Sequence, residues 1–147
     1  MSDQPAYETP LPLFVYGTLR TGEYNWKIYL AGKTRSETPA IVQQHQLYAN
    51  RYPYMIVGKG SVIGTLVEIE PALYETVMRE IDELEQFRPN GNSWYLRVAR
   101  YVNVGDQQIL AWMYYASERV TQYLTNDHQI THGDWVRWNQ EQAGRPE

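Results

Sequence analysis

Leu13-Phe14-Val15-Tyr16-Gly17-Thr18-Leu19-Arg20 is the stretch whose reading decides the fold. Phe14, Val15 and Tyr16 favour a strand. Gly17 then permits a sharp turn and a close approach of other atoms to the backbone, and Thr18 can cap the next segment. A buried strand that opens into such a turn leaves several backbone N–H groups converging on one spot, a concavity suited to a carboxylate or a developing oxyanion. The plainer reading is a first core strand followed by an ordinary turn.

Working outward, residues 1–11 are polar and Pro-rich and read as a flexible leader. A strand is predicted over 12–16, a turn over 21–24, and a short helix over 25–30 with Trp26 and Leu30 on one face. Residues 40–42 and 45–48 read as one or two strands. Tyr52-Pro53-Tyr54 reads as an extended wall, and Gly58-Lys59-Gly60 as a turn. Residues 62–70 alternate cleanly, as a half-buried strand should. Pro71 opens the one long helix, predicted over 71–86 and ended by Phe87-Arg88-Pro89-Asn90-Gly91. Runs over 93–104 and 108–116, joined at Gly105-Asp106, read as a hairpin. A short helix or turn is expected over 117–126, a Gly133-Asp134-Trp135 turn clamps a tryptophan into the core, and 139–147 reads as a flexible tail. Strands, one main helix and a closing hairpin do not make a regular βαβ alternation. The pattern predicts a single α+β domain over 12–138, its mixed sheet curled towards a barrel.

The composition narrows the function. Of 147 residues, 43% are hydrophobic, enough for one core. Thirteen tyrosines and five tryptophans against two phenylalanines place many rings where core meets water, or around a pocket. A net charge of −4 with no Lys/Arg cluster argues against nucleic acid as a partner. The absence of cysteine removes disulfides, thiolate metal sites and a cysteine nucleophile. His45, His128 and His132 make no metal-ligand pattern. His132 has no companion acid at useful spacing. No apolar run approaches a signal peptide core or the roughly 20 residues of a membrane span, so a soluble cytoplasmic protein is expected.

Helical residues advance about 100° each, so Tyr74, Met78, Ile81 and Glu85 share a stripe beside Leu73, Val77 and Leu84. Glu85 thus continues an apolar line, whereas Glu83 falls on the opposite side. An acid facing a core is costly without partners, and desolvation raises its pKa towards that of a base useful near neutrality. The alternative is that Glu85, in the last turn, leans into solvent or pairs with Arg88. Tyr95 and Arg97 share one face of a strand, from which Arg97 reaches either Glu85 or a substrate carboxylate, unless it is an exposed strand-edge charge.

These pieces, taken in order, resemble the gamma-glutamylcyclotransferase-like family, above all its gamma-glutamylamine cyclotransferase branch and small bacterial relatives. Val15-Tyr16-Gly17-Thr18-Leu19-Arg20 is similar to the family's opening motif, followed by Asn25 and by Gly64 in the strand before the helix. Ile81-Asp82-Glu83-Leu84-Glu85 resembles its helix-end motif, whose final Glu is the catalytic base. Tyr95, Arg97, Ala111-Trp112-Met113-Tyr114 and Gly133-Asp134-Trp135 complete the series, which spans 13–135. Thr18 and Arg20 differ from the glutathione-specific branch and disfavour glutathione, and residues 86–90 match no family pattern.

The resemblance implies a curled mixed sheet with a pocket at its mouth, and a reaction needing no cofactor. The α-amine of a gamma-glutamyl amide or peptide attacks its own γ-carbonyl, releasing 5-oxoproline and the free amine. Glu85 would be the general base. The N–H groups of Gly17, Thr18 and Leu19 would hold the carboxylate or oxyanion, with Tyr16 and Tyr114 as hydroxyl-bearing walls and Arg97 as a second substrate contact. Three alternatives stay open. One is hydrolysis or another acyl transfer in the same pocket. Another is a non-catalytic module that captures a small carboxylate or a peptide terminus. The third is a structural partner using a Tyr-rich surface. Oligomeric state is not legible.

Overall fold

The computed structural model describes residues 10–85 and 93–143. Five strands close into a barrel in the order β1-β3-β2-β4-β5, where β1 is Leu13–Val15, β2 Thr34–Asn50, β3 Tyr52–Ile69, β4 Tyr95–Val104 and β5 Gln107–Ala116. Neighbours are antiparallel except at the closure. There β1 runs parallel to β5, with Leu13 opposite Trp112 and the Trp112 N–H donating to the Pro12 carbonyl at 2.9 Å. The sheet is therefore mixed and curled. The helices are α1 (Tyr24–Tyr29), α2 (Tyr74–Leu84), α3 (Glu118–Thr121) and α4 (Trp135–Ala143).

The alternation along β1 explains the layering. Phe14 points into the barrel with Val42, Met55, Val62, Leu66, Val102 and Met113. Leu13 and Val15 point outward, where α2 lays down Tyr74, Val77, Met78 and Ile81. The helix face predicted to be apolar is thus the face that packs on the barrel wall. Gly64 lets β1 and β3 approach closely: a Cβ there would strike the Val15 carbonyl and come within 2.7 Å of the Phe14 ring.

The long β2–β3 hairpin departs from expectation. Gly58-Lys59-Gly60 is no turn but part of β3, and the one or two strands expected over 40–42 and 45–48 are a single longer one, β2. The pairing slips by a bulge between Gln43 and His45, with Gln44 at φ 62° and Gly60 at φ 134°, and then resumes. The chain reverses instead at Arg51, whose φ is 70°, with Asn50 opposite Tyr52. Tyr52, Pro53 and Tyr54, expected as a wall, are the first residues of β3. Pro53 is tolerated because β1 covers only the far part of β3, around 65–67.

The main helix is shorter than predicted. Residues 71–73 form a 3₁₀ turn, α2 ends at Leu84, and Glu85 is its cap, its N–H donating to the Ile81 carbonyl at 2.8 Å. The hairpin at Gly105 is where it was expected. Residues 139–143 of the expected tail are helix, the second half of α4. The expected leader lies outside the described residues as far as residue 9, as do the predicted helix stop over 87–91 and the tail beyond 143. Among the described residues no helix is long and apolar enough to cross a membrane.

Candidate active site

A cavity of about 890 Å³ opens at the barrel mouth between the turn after β1, the end of α2 and the tip of the β2–β3 hairpin. Six of the thirteen tyrosines and two of the five tryptophans line it, so the aromatic excess does gather around a pocket.

The inner end holds the turn. Gly17 is buried, and a Cβ on it would sit 2.6 Å from the Pro53 ring, so glycine is what allows the hairpin to pack over the turn. The Gly17 carbonyl accepts from the Arg20 N–H at 3.1 Å, the Thr18 carbonyl from the Trp26 N–H at 3.0 Å, and the Thr18 hydroxyl from the Asn25 amide at 2.7 Å. Among the described residues the N–H groups of Gly17, Thr18 and Leu19 donate to no protein acceptor. The turn is anchored from the far end of the chain: Arg20 Nη1 meets Asp134 Oδ1 at 2.9 Å, and that oxygen also accepts the Arg137 N–H in the first turn of α4. The first and last motifs are thereby joined, with Trp135 on the cavity wall.

Glu85 faces the same cavity. As a residue it is partly exposed, and it lines the cavity. Burial of the carboxyl, and then the charge of Asp82, push its pKa up to about 8. Glu83 is exposed, as its side of the helix requires. Asp82 differs from both. Arg97 Nη1 contacts Asp82 Oδ2 at 3.0 Å, and the Tyr114 hydroxyl donates to Asp82 Oδ1 at 2.6 Å.

That pairing corrects two expectations. Arg97 faces neither Glu85 nor the cavity; it pairs with Asp82 and lies 4.9 Å over the Trp112 ring. Tyr16 and Tyr114 do line the cavity, but their hydroxyl protons are given to protein acceptors, Tyr16 donating to the Tyr114 carbonyl at 2.7 Å. Burial first, and then the nearby carboxylates Glu85 and Asp82 respectively, hold both phenols well above their ordinary 10, so they stay protonated. His132 bonds Glu141 at 3.1 Å, away from the cavity lining. Among the described residues no three His, Cys, Asp or Glu side chains gather as metal ligands.

Sequence reasoning missed the outer end. Arg51, Tyr52 and Tyr54 come from the hairpin tip, Trp94 from the segment before β4, and Tyr24 from the start of α1. No periodicity marks them, because they belong to separate places in the chain. The one available signal was the Tyr-Pro-Tyr run at 52–54.

Residues 13–137 match the family model described as Gamma-glutamyl cyclotransferase, AIG2-like. The chain is 30% identical over 134 residues, 89% of its length and 79% of the relative's, to the Gamma-L-glutamyl-butirosin B gamma-glutamyl cyclotransferase of Niallia circulans. Its fold is similar to that of an uncharacterised Pyrococcus horikoshii protein (TM-score 0.64, 23% identity, covering 93% of this chain and 99% of that one). It is also similar to that of a mouse AIG2-like protein (TM-score 0.62, 21% identity, covering 85% and 87%). A match across nearly the whole barrel, from β1 into α4, places this chain in the AIG2-like gamma-glutamyl cyclotransferase family.

Proposed function

We propose that the chain converts a gamma-glutamyl amide into 5-oxoproline and a free amine by intramolecular aminolysis. One observation carries the reading: a desolvated carboxylate, Glu85, and a turn whose three N–H groups have no partner among the described residues line the same cavity. A pocket that only bound a carboxylate would have no use for a second, buried acid. The nucleophile belongs to the substrate, so the protein supplies position, a proton acceptor and charge stabilisation.

Glu85 takes a proton from the substrate α-amine as its nitrogen bonds to the γ-carbonyl carbon. The carbonyl oxygen becomes an oxyanion, held by N–H groups from the turn at 17–19. The proton on Glu85 then passes to the leaving nitrogen, the original C–N bond breaks, and the carbonyl reforms in the five-membered lactam. No water is consumed. A base with pKa about 8 is suited to both transfers near neutral pH. Tyr16 and Tyr114 shape the wall, and Arg97 with Asp82 steadies the helix end that presents Glu85.

The test is 5-oxoproline release from a panel of gamma-glutamyl amines and dipeptides, with Glu85→Gln beside the parent. Release that the variant loses supports the proposal. Release that survives in the variant removes Glu85 as the base. No release from any substrate, together with measurable binding of 5-oxoproline, would make the protein a binding module.

A further inference from the structure

The cavity is larger than the gamma-glutamyl group needs. About 890 Å³ falls near the top of the roughly 300–1,000 Å³ range of sites that enclose drug-sized ligands. Its two ends also differ in chemistry. The inner end carries Glu85, the sole acid on the described lining, while the outer end carries Arg51, the sole cation. The lining also includes Tyr24, Tyr52 and Trp94, which are 73%, 57% and 41% exposed. Three large rings that line one cavity and stay open to solvent offer a surface that a ligand's ring can cover.

Arg51 has no carboxylate partner among the described residues. The seven residues between Glu85 and Ser93 contain no Asp or Glu. A second guanidinium, that of Arg119, lies 4.9 Å from the Trp94 ring centre. The Arg51 backbone is left-handed, at φ 70°, a conformation that glycine adopts freely and arginine does not. Residues held in such conformations cluster at ligand clamps.

We infer that the outer end is a leaving-group subsite for an aromatic amino acid, linked through its α-amine to the glutamyl γ-carbonyl. The ring lies among Tyr24, Tyr52 and Trp94, and the leaving group's own carboxylate pairs with Arg51. This rests on the cyclotransferase reading and narrows it to gamma-glutamyl dipeptides with an aromatic second residue. A cationic leaving group meets a like charge at the rim and is disfavoured. The reaction balances as before: the dipeptide gives 5-oxoproline and the free aromatic amino acid.

The experiment compares kcat/KM for gamma-glutamyl-phenylalanine and for its carboxamide, in the parent and in Arg51→Gly, a change that suits the left-handed backbone. The acid should exceed the amide by about tenfold or more in the parent, since a hydrogen bond to a charged group is at stake. In Arg51→Gly the ratio should fall towards one. Equal rates for acid and amide in the parent, or an unchanged ratio in the variant, overturn the inference. So does an equal loss on both substrates, which would put Arg51 on the glutamyl half. Calorimetric binding of the same two compounds to the same two proteins keeps this separate from the cyclotransferase reading. If nothing releases 5-oxoproline, that reading fails. The acid-over-amide binding preference, and its loss in Arg51→Gly, then decide the subsite.

Discussion

Asp82 and Glu85 sit three residues apart at the end of one helix, and their surroundings could hardly differ more. Asp82 is met by the Arg97 guanidinium and by the Tyr114 hydroxyl, and the Arg97 and Asp82 side chains are only 7% and 15% exposed. Among the described residues Glu85 has no cation beside it, only burial and the unfavourable charge of Asp82. The same functional group is thus a structural tie at one position and, in the proposed reaction, the base at the other. The lesson is that partners, more than depth, decide which acid is available for chemistry.

The comparison can be broken most directly at Glu85 itself. Glu85→Gln keeps the shape and removes the proton acceptor, so kcat should fall by about 10²–10⁴ with the fold intact by circular dichroism. Breaking the other half should act on stability. Arg97→Met leaves Asp82 in a largely buried site without its cation, and denaturant unfolding should show a loss of about 3–5 kcal/mol.

Acidity sharpens the contrast further. With Glu85 at about 8, kcat/KM should rise tenfold per pH unit below that value and level off above it, so that moving from pH 8 to pH 6 costs about fiftyfold. The same shift enters stability with a definite sign. The folded value lies above the ordinary 4.5, so the contribution of Glu85 is complete below about 4.5 and is lost as pH rises through about 8. The thermal midpoint of Glu85→Gln should therefore gain on the parent as pH rises across that window. The smallest effect is expected from Tyr114→Phe, which removes one hydrogen bond to Asp82 and should cost about 1 kcal/mol in the same unfolding experiment.

How much of this was legible in sequence depends on where each signal lives. Glu85 was readable because a helix writes its faces into the order of its residues, and the turn at Gly17 because a short apolar run stops at a glycine. The β4–β5 hairpin was readable for the same local reason. The long β2–β3 hairpin was not, because ladder pairing carries the strands through Pro39, Gln44 and Gly58-Lys59-Gly60, residues that in isolation break strands. Its reversal falls on Arg51, a residue with no turn preference. The partner of Arg97 was invisible because the strand face gives a direction and not the identity of the group it meets. The outer rim was missed because its residues come together only once the barrel has closed.

The Arg20–Asp134 contact has a consequence in time. Its two residues are 114 positions apart, so the turn that carries the unpartnered N–H groups is synthesised early but cannot be latched until the last helix emerges. At about 5–20 residues per second, that interval is on the order of ten seconds. During it the nascent chain holds the pieces of a pocket without their clasp. The pocket is thus clasped late, and on the proposed reading a translation product arrested before residue 134 should release no 5-oxoproline however well its first strands have formed.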